Sequence, residues 1–299
     1  MAGNSTFVQM ENKQNATEIL PKVSFSNDYS EFIIDATERK GDYIVEDALD
    51  EMSAQGVNTS ILADGEVPSI AEVSYNARRS ANYIYKVRED ELKKAAVSKE
   101  AYDELLSRIN ANLDQQDLKD CWREFPKMLL KDELNFKADM IEWGTTQNAY
   151  KTNLRAMMED IRKCKYPSDK YNVYSKTVDG TTYTLKTFSD RPVIFIRADY
   201  LDEIRVEFES GVFNLDKIAL EADIYVVPCF YDYTGTTEDS DVLWMTCDRR
   251  FPRIFKDFEK RARLEDVRSF NIGKAVTYIE YTSKLVPCII HTKHAGPNA

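Results

Sequence analysis

The stretch RPVIFIRADYLDEI, residues 191–204, decides the fold class. Val193, Ile194, Phe195 and Ile196 form an unbroken apolar run of strand length, so both faces of that strand must be covered. Residues 199–209 then switch to a helical period, with Gly211 as the stop, which predicts an amphipathic helix. Asn214 can cap a short helix through Leu220, and ADIYVVPC (222–229) supplies a second buried strand over 224–227, ended by Pro228. The acidic, Gly- and Thr-containing stretch 231–241 reads as an exposed loop, followed by strand-like segments at 242–247, 251–263 and 275–290. This order describes an α+β topology and contains no recognisable active site.

Upstream, 171–178 and 181–187 flank Asp179-Gly180, the signal for a tight two-residue hairpin. Residues 147–163 predict a helix, because Leu154, Met157, Met158 and Ile161 repeat at i, i+3, i+4, i+7; the Met pair reads as core filler. The clearest long helix spans 98–130. Ser98 is its N-cap, Glu100 and Asp103 complement the first-turn dipole, and Leu105, Leu106, Ile109, Leu113, Leu118, Trp122, Phe125 and Leu129 form its apolar stripe. Such a helix is about 45 Å long, suited to a spine, with Pro126 expected to kink or interrupt its last turn. Residues 29–90 carry short strands at 32–34, 43–45 and 83–87 around a loop-like 53–68, an excursion more than a core. Residues 1–28, rich in Asn, Gln, Ser and Lys, read as an extended arm that orders on something else.

The chain has 299 residues, 43% hydrophobic and 11% aromatic, enough to bury a sizeable core. Its formal charge of -11, from 51 acidic and 40 basic side chains, disfavours tight phosphate binding but not the enclosure of nucleic acid. Five cysteines lie far apart without a C-x-x-C pair, which signals neither zinc nor a disulfide framework and fits a reducing compartment. The polar N-terminus lacks a signal core, no stretch approaches a membrane span, and the start at Met1 suggests no cleaved prodomain.

Phosphate-cradle and nucleophile-elbow motifs are missing, and the chain has only 10 glycines. His291 and His294 read as part of a solvated tail, not as acid-base or metal groups. Acidic groups at 89–91, 202–203 and 238–241 read as solvated surface; Thr237 to Asp241 is the one candidate metal loop, although it lacks the spaced oxygen ligands of a calcium site. No catalytic residue, cofactor or metal is therefore expected. The pairs Arg78-Arg79 and Arg249-Arg250 are too small for a nucleic-acid footprint and suit acidic patches on a neighbouring subunit.

Taken together, RPVIFIRADYLDEI, ADIYVVPC, DVLWMTCDRRFPRIF (241–255) and NIGKAVTYIEYTSKLVPCIIHTK (271–293), placed after an arm, a strand-rich excursion and a spine helix, resemble the major capsid proteins of tailed bacteriophages with the Hong Kong 97-type (HK97-like) fold. The resemblance implies an N-terminal arm (1–28), an E-loop with flanking strands (29–90), a P-domain with spine helix and hairpin (91–190), an A-domain (191–270) and a C-terminal strand returning to the core (271–299). It implies a structural, non-enzymatic protein that self-assembles into hexamers and pentamers of an icosahedral head around double-stranded DNA, held without sequence-specific binding. Assembly would take place in the host cytoplasm, with scaffolding, portal or decoration proteins as further partners and no membrane. Inter-subunit contact candidates are Phe7 and Ile19 in the arm, Phe32 and Ile44 in the excursion, and Arg78, Arg79, Arg249 and Arg250. Two alternatives remain: an encapsulin-like nanocompartment shell, and a soluble α+β enzyme with a carboxylate or metal site in the 231–241 loop.

Overall fold

The computed structural model describes residues 29–37, 43–49, 70–90, 93, 98–131, 137–140, 147–166, 173–178, 181–202, 221–232, 234–239, 241–265 and 269–292. The arm at 1–28, the 53–68 loop, the Asp179-Gly180 turn, the 214–220 helix and His294 lie outside them. Residues 29–31 are the described part of a first unit, 1–31, and open a single 3-10 turn; a second unit, 32–299, holds everything below.

In chain order that unit contains β1 (Ile33–Asp35), β2 (Ile44–Leu49), β3 (Ile70–Tyr75), β4 (Arg78–Arg88), the helix α1 (Lys99–Met128), β5 (Lys137–Met140), the helix α2 (Gln147–Lys165), β6 (Val173–Val178), β7 (Thr181–Lys186), β8 (Pro192–Arg197), β9 (Asp223–Val227), β10 (Phe230–Tyr231), β11 (Glu238–Asp239), β12 (Val242–Asp248), β13 (Pro252–Glu265), β14 (Ser269–Thr282) and β15 (Cys288–Thr292). Two sheets organise it, ordered β1-β13-β14-β4 and β5-β15-β12-β8-β9, beside three two-stranded pairs. The apolar run of residues 193–196 becomes β8, buried on both faces between antiparallel β12 and parallel β9. The helix predicted at 199–209 is described over 198–202, where it starts directly after β8. β6 and β7 pair with Val178 opposite Thr181, in the register of the predicted hairpin.

The segment 275–290 is not one strand. β14 ends at Thr282, the chain turns, and β15 joins the other sheet. Pro287 cannot donate to a ladder, so the boundary falls where a backbone donor is missing. β14 is also longer than expected, because it pairs with β13 on one side and β4 on the other for most of its length.

α1 is capped by Ser98, whose backbone is extended (φ -149°) and whose hydroxyl accepts the Ala101 amide at 3.1 Å. It runs through Pro126 and ends two residues later, since a proline in the last turn sacrifices only one donor. Its buried stripe is Ile109, Leu113, Asp117, Cys121, Phe125 and Met128, so Asp117 and Cys121 occupy positions that apolar periodicity assigned to Leu118 and Trp122. Polar pairing explains the difference. Lys274 of β14 is only 4% exposed and reaches Asp114 and Asp117 at 2.7 Å each, Tyr278 donates to Asp117 at 2.7 Å, and Arg261 reaches Asp114 at 2.7 Å. Burial alone would raise the Asp114 carboxyl and lower the Lys274 ammonium, but their pairing outweighs it and moves each the other way.

The root of the unit is aromatic. Phe32 lies 5.3 Å from Phe125, 5.6 Å from Phe195 and 5.2 Å from Tyr225, ring to ring, so α1, β8, β9 and the start of β1 share one cluster. On the opposite face of the five-stranded sheet, α2 buries Leu154, Met157 and Ile161 against Ile194, Ile196 and Trp244. There His291 corrects the sequence reading: it is a buried β15 residue, stacked 4.5 Å from Trp244 with Nε2 2.6 Å from Asp160. The Trp244 indole also donates to Asp160 at 3.2 Å. Pairing of β15 with β12 draws the histidine inward, and a polar tail sequence gives no sign of it.

Two outcomes follow for stability. Phe195→Ala should cost about 3–5 kcal/mol in chemical denaturation, because it removes a ring from the middle of the shared cluster. Lys274→Met should cost about 3 kcal/mol by stranding Asp117. The depressed Asp114 contributes stability above its unfolded value of roughly 3.9 and loses it as pH falls through its folded value; the raised Lys274 contributes below roughly 10.4 and loses it as pH rises through its folded value. Lys274→Met should therefore flatten both limbs of the stability-pH curve, and unchanged limbs would remove the pair from the account.

Candidate assembly interface

The four-stranded sheet has two unlike faces. One packs on α1: Val87 and Ile272 join Ile109 and Leu113, while Tyr83 donates to Asp120 at 2.8 Å. The alternation of β4 sends Ser80, Asn82, Ile84, Lys86 and Arg88 to the other face, where all are exposed. Ser80 meets Thr277 there at 3.1 Å, and Phe258 of β13, opposite Thr277, is 47% exposed. Ile84 is 73% exposed, in a chain whose cores hold far smaller apolar fragments out of water.

The β2–β3 hairpin is seated at one end of this second face. Ile44 and Tyr75 are buried against Ile279 and Tyr281, with Val73 and Phe255 beside them. The Tyr75 and Tyr281 rings stack at 3.9 Å. Glu46 accepts from Tyr281 at 2.9 Å and from the Ser283 hydroxyl, and the Tyr75 hydroxyl accepts the Lys284 amide at 2.8 Å. Burial first, and Glu46 beyond it, push both phenols well above their ordinary range, so they remain protonated donors. These contacts hold the base of the hairpin on the sheet.

The sequence candidates fall in different places. Phe7 and Ile19 lie outside the described residues. Phe32 is fully buried in the aromatic root, and Ile44 is buried under the hairpin, so both serve the chain's own core. Arg78 and Arg79 point to opposite faces: Arg78 is 3.4 Å from Asp257, whereas Arg79 meets Glu280 at 2.6 Å and lies over the Tyr278 ring. The structure brings Arg249 and Arg250 together with Arg191 at one end of the five-stranded sheet. Arg249 and Arg191 share Asp223, and Arg250 meets Asp248 at 2.9 Å. Sequence reasoning missed the exposed Ile84, Tyr166, Phe188 and Phe258. Strict alternation along 78–88 was the available signal for Ile84; nothing local marks the others.

The 231–241 stretch is less open than a loop of that composition suggests. β10 and β11 pair, Gly235 takes φ +68°, and the Lys127 ammonium lies over the Tyr231 ring. Asp232 accepts from the Thr234 hydroxyl at 2.7 Å and the Thr236 and Thr237 amides, bonds that hold its carboxyl below the usual range. Its oxygens serve the turn. Among the described residues, no group of three or more His, Cys, Asp or Glu could hold a metal, and no helix is long and apolar enough to cross a membrane.

Comparison with known proteins places this architecture. A chain from the capsid of Staphylococcus phage Andhra superimposes with a TM-score of 0.62 at 9% identity, over 92% of this chain and 86% of that one. A chain from the structure of head fiber and inner core protein gp22 of native bacteriophage P68 gives 0.57 at 12%, over 91% and 86%. A chain from the capsid of an empty GTA particle gives 0.56 at 9%, over 91% of each. Identities this low show the shared fold alone. No curated protein matches the chain in sequence. A family model, Phi29-like phage major capsid protein, matches residues 4–288. That match spans nearly the whole chain, so the protein belongs to the Phi29-like major capsid proteins, shell subunits of tailed phages with the HK97-like α+β fold.

Proposed function

We propose that the protein is the repeating subunit of an icosahedral head, assembling in the host cytoplasm as hexamers and pentamers around double-stranded DNA that it encloses without reading. The observation that carries this is the family match over residues 4–288. The geometry supports it. An anchored hairpin and a sheet face with exposed apolar residues are features that a second copy can complete, and repeated heterologous contacts of this kind close into rings. In this reading 1–28 is the arm, 29–90 contains the E-loop with β2 and β3, and α1 under the four-stranded sheet is the centre of the P-domain. The A-domain, 191–270, contains β8, β9 and β12 of the five-stranded sheet. The role is structural and calls for no catalytic group; scaffolding, portal and decoration proteins are the expected partners.

Electron microscopy of the expressed chain, with and without its co-expressed scaffold, tests the proposal. Closed shells or capsomer-sized rings are expected, and a uniform monomer or dimer under both conditions would overturn it. A surface variant adds detail. Tyr166 and Phe188 are exposed aromatics beside the Ser189 amide to Cys164 carbonyl bond (2.8 Å) that joins the end of α2 to the lead into β8. Phe188→Ser should change stability by less than about 0.5 kcal/mol while slowing assembly measured by light scattering. Native assembly rates in this variant would remove the aromatic pair from the contact surface.

A further inference from the structure

The five cysteines are scattered in sequence, but the fold sets two of them side by side. Cys247 lies near the end of β12 and Cys288 opens β15, and they stand directly opposite each other in the antiparallel ladder. The Asp248 amide donates to the Pro287 carbonyl at 3.1 Å, one residue further out on both strands. Hydrogen-bonded and non-hydrogen-bonded pairs alternate in such a ladder, so Cys247 and Cys288 are of the non-hydrogen-bonded kind, with side chains on one face and Cα atoms about 4.5 Å apart. A disulfide spans Cα separations of roughly 4.4–6.8 Å, so bridging these two calls for little backbone movement.

Both are free thiols in the structure, buried in the five-stranded sheet. Burial first, and the neighbouring Cys288 and Cys164 beyond it, push the Cys247 thiol well above its ordinary range, and burial does the same to Cys288. Neither reacts readily while the sheet is closed. Their place in the chain gives the pair a mechanical meaning. Residues 248–287 carry β13 and β14, and Cys247 and Cys288 stand where the chain leaves the five-stranded sheet for the other one and where it returns. A bond between them closes that excursion at its neck.

We propose that Cys247 and Cys288 form an oxidation site, joined by a cross-strand disulfide that staples the crossing between the two sheets when the protein meets an oxidant of the peroxide class. The Cys288 thiolate, at the start of its strand, attacks one peroxide oxygen; the O–O bond breaks, water leaves and a sulfenic acid remains. The Cys247 sulfur then attacks that sulfur, the S–S bond forms as the S–O bond breaks, and hydroxide leaves with the Cys247 proton as a second water. Two thiols lose two electrons and two hydrogens, and one peroxide becomes two waters. Cys164 is the rival partner, because its Sγ lies 3.9 Å from the Thr246 carbonyl, but it sits on α2 and not opposite either residue in the ladder. The timing rests on the shell-subunit reading: thiols stay reduced during assembly in a cell, and the staple forms after release into oxidising surroundings. The bond itself needs only the fold.

The test uses the full chain with Cys229→Ser, because Cys229, the one cysteine that is not buried, would link separate chains. The folded protein is held for a day in hydrogen peroxide, then unfolded in an alkylating agent and mapped by mass spectrometry. Two of its four thiols should escape alkylation, with the peptide bearing Cys247 joined to the one bearing Cys288. The melting temperature should rise by about 5–10 °C and fall back on reduction with dithiothreitol. Cys164→Ser should leave the link intact, whereas Cys288→Ser should abolish both link and shift. Four alkylated thiols, a link to Cys164, or a link without a rise in melting temperature each overturn the proposal. None of these readouts requires assembly, so failure of the shell reading would show separately, in the microscopy.

Discussion

The buried Lys274 ammonium, held between Asp114 and Asp117, is the constraint on which the elongated half of the molecule depends. A sheet of 14-residue strands and a 30-residue helix meet along a narrow apolar seam, mainly Val87, Ile109, Leu113 and Ile272. Such a seam would tolerate sliding by a helical turn, since one aliphatic side chain replaces another with little change. An ion pair inside it does not, because any shift strands a desolvated charge. Tyr278 and Tyr83 donate to Asp117 and Asp120 on the same side, Arg79 donates to the Cys121 sulfur, and together they set the register between helix and sheet. The opposite sheet face is then free to remain uncovered.

The two sheets are joined through alternation in sequence. β12 and β15 belong to one sheet, β13 and β14 between them to the other, so the chain crosses twice within about 45 residues. Neither sheet can move far without pulling on those crossings. The aromatic root around Phe32, Phe125, Phe195 and Tyr225 lies where α1, β1, β8 and β9 converge, which makes the end of the spine helix part of the second core. His291, Trp244 and Asp160 perform a related task on the far face, tying the last described strand to α2 with polar contacts in an apolar layer.

Local pattern made the elements legible where burial on both faces or strict helical period imposed it: β8, β9, α1, α2 and the β6–β7 pair all lie where the residues predict them. Family membership was legible from the order of those elements. What failed was anything decided by a partner distant in sequence. Asp117 looks like a surface residue until Lys274, 157 positions later, is placed against it. His291 looks like tail until β12 pairs with its strand. The break between β14 and β15 depends on two different sheets competing for one apolar stretch. Phe32 and Ile44, plausible as contacts because they sit in a loop-rich excursion, are taken up by the core those excursions return to.

Why such a chain should associate follows from how its apolar surface is apportioned. The central strands of the five-stranded sheet, β8 and β12, are buried throughout, with α2 on one face and the aromatic root on the other. In the four-stranded sheet α1 packs on one face, and among the described residues the chain's own hairpin covers one end of the other, where Ile84 and Phe258 stay exposed. A second helix there would complete a stable monomer and leave nothing for a neighbour. The exposed apolar residues of that face are diluted by Ser80, Asn82, Gly273 and Thr277, which breaks up the apolar surface. Weak contacts repeated around a closed shell are individually reversible, so misplaced subunits can leave, and collectively strong once the shell closes.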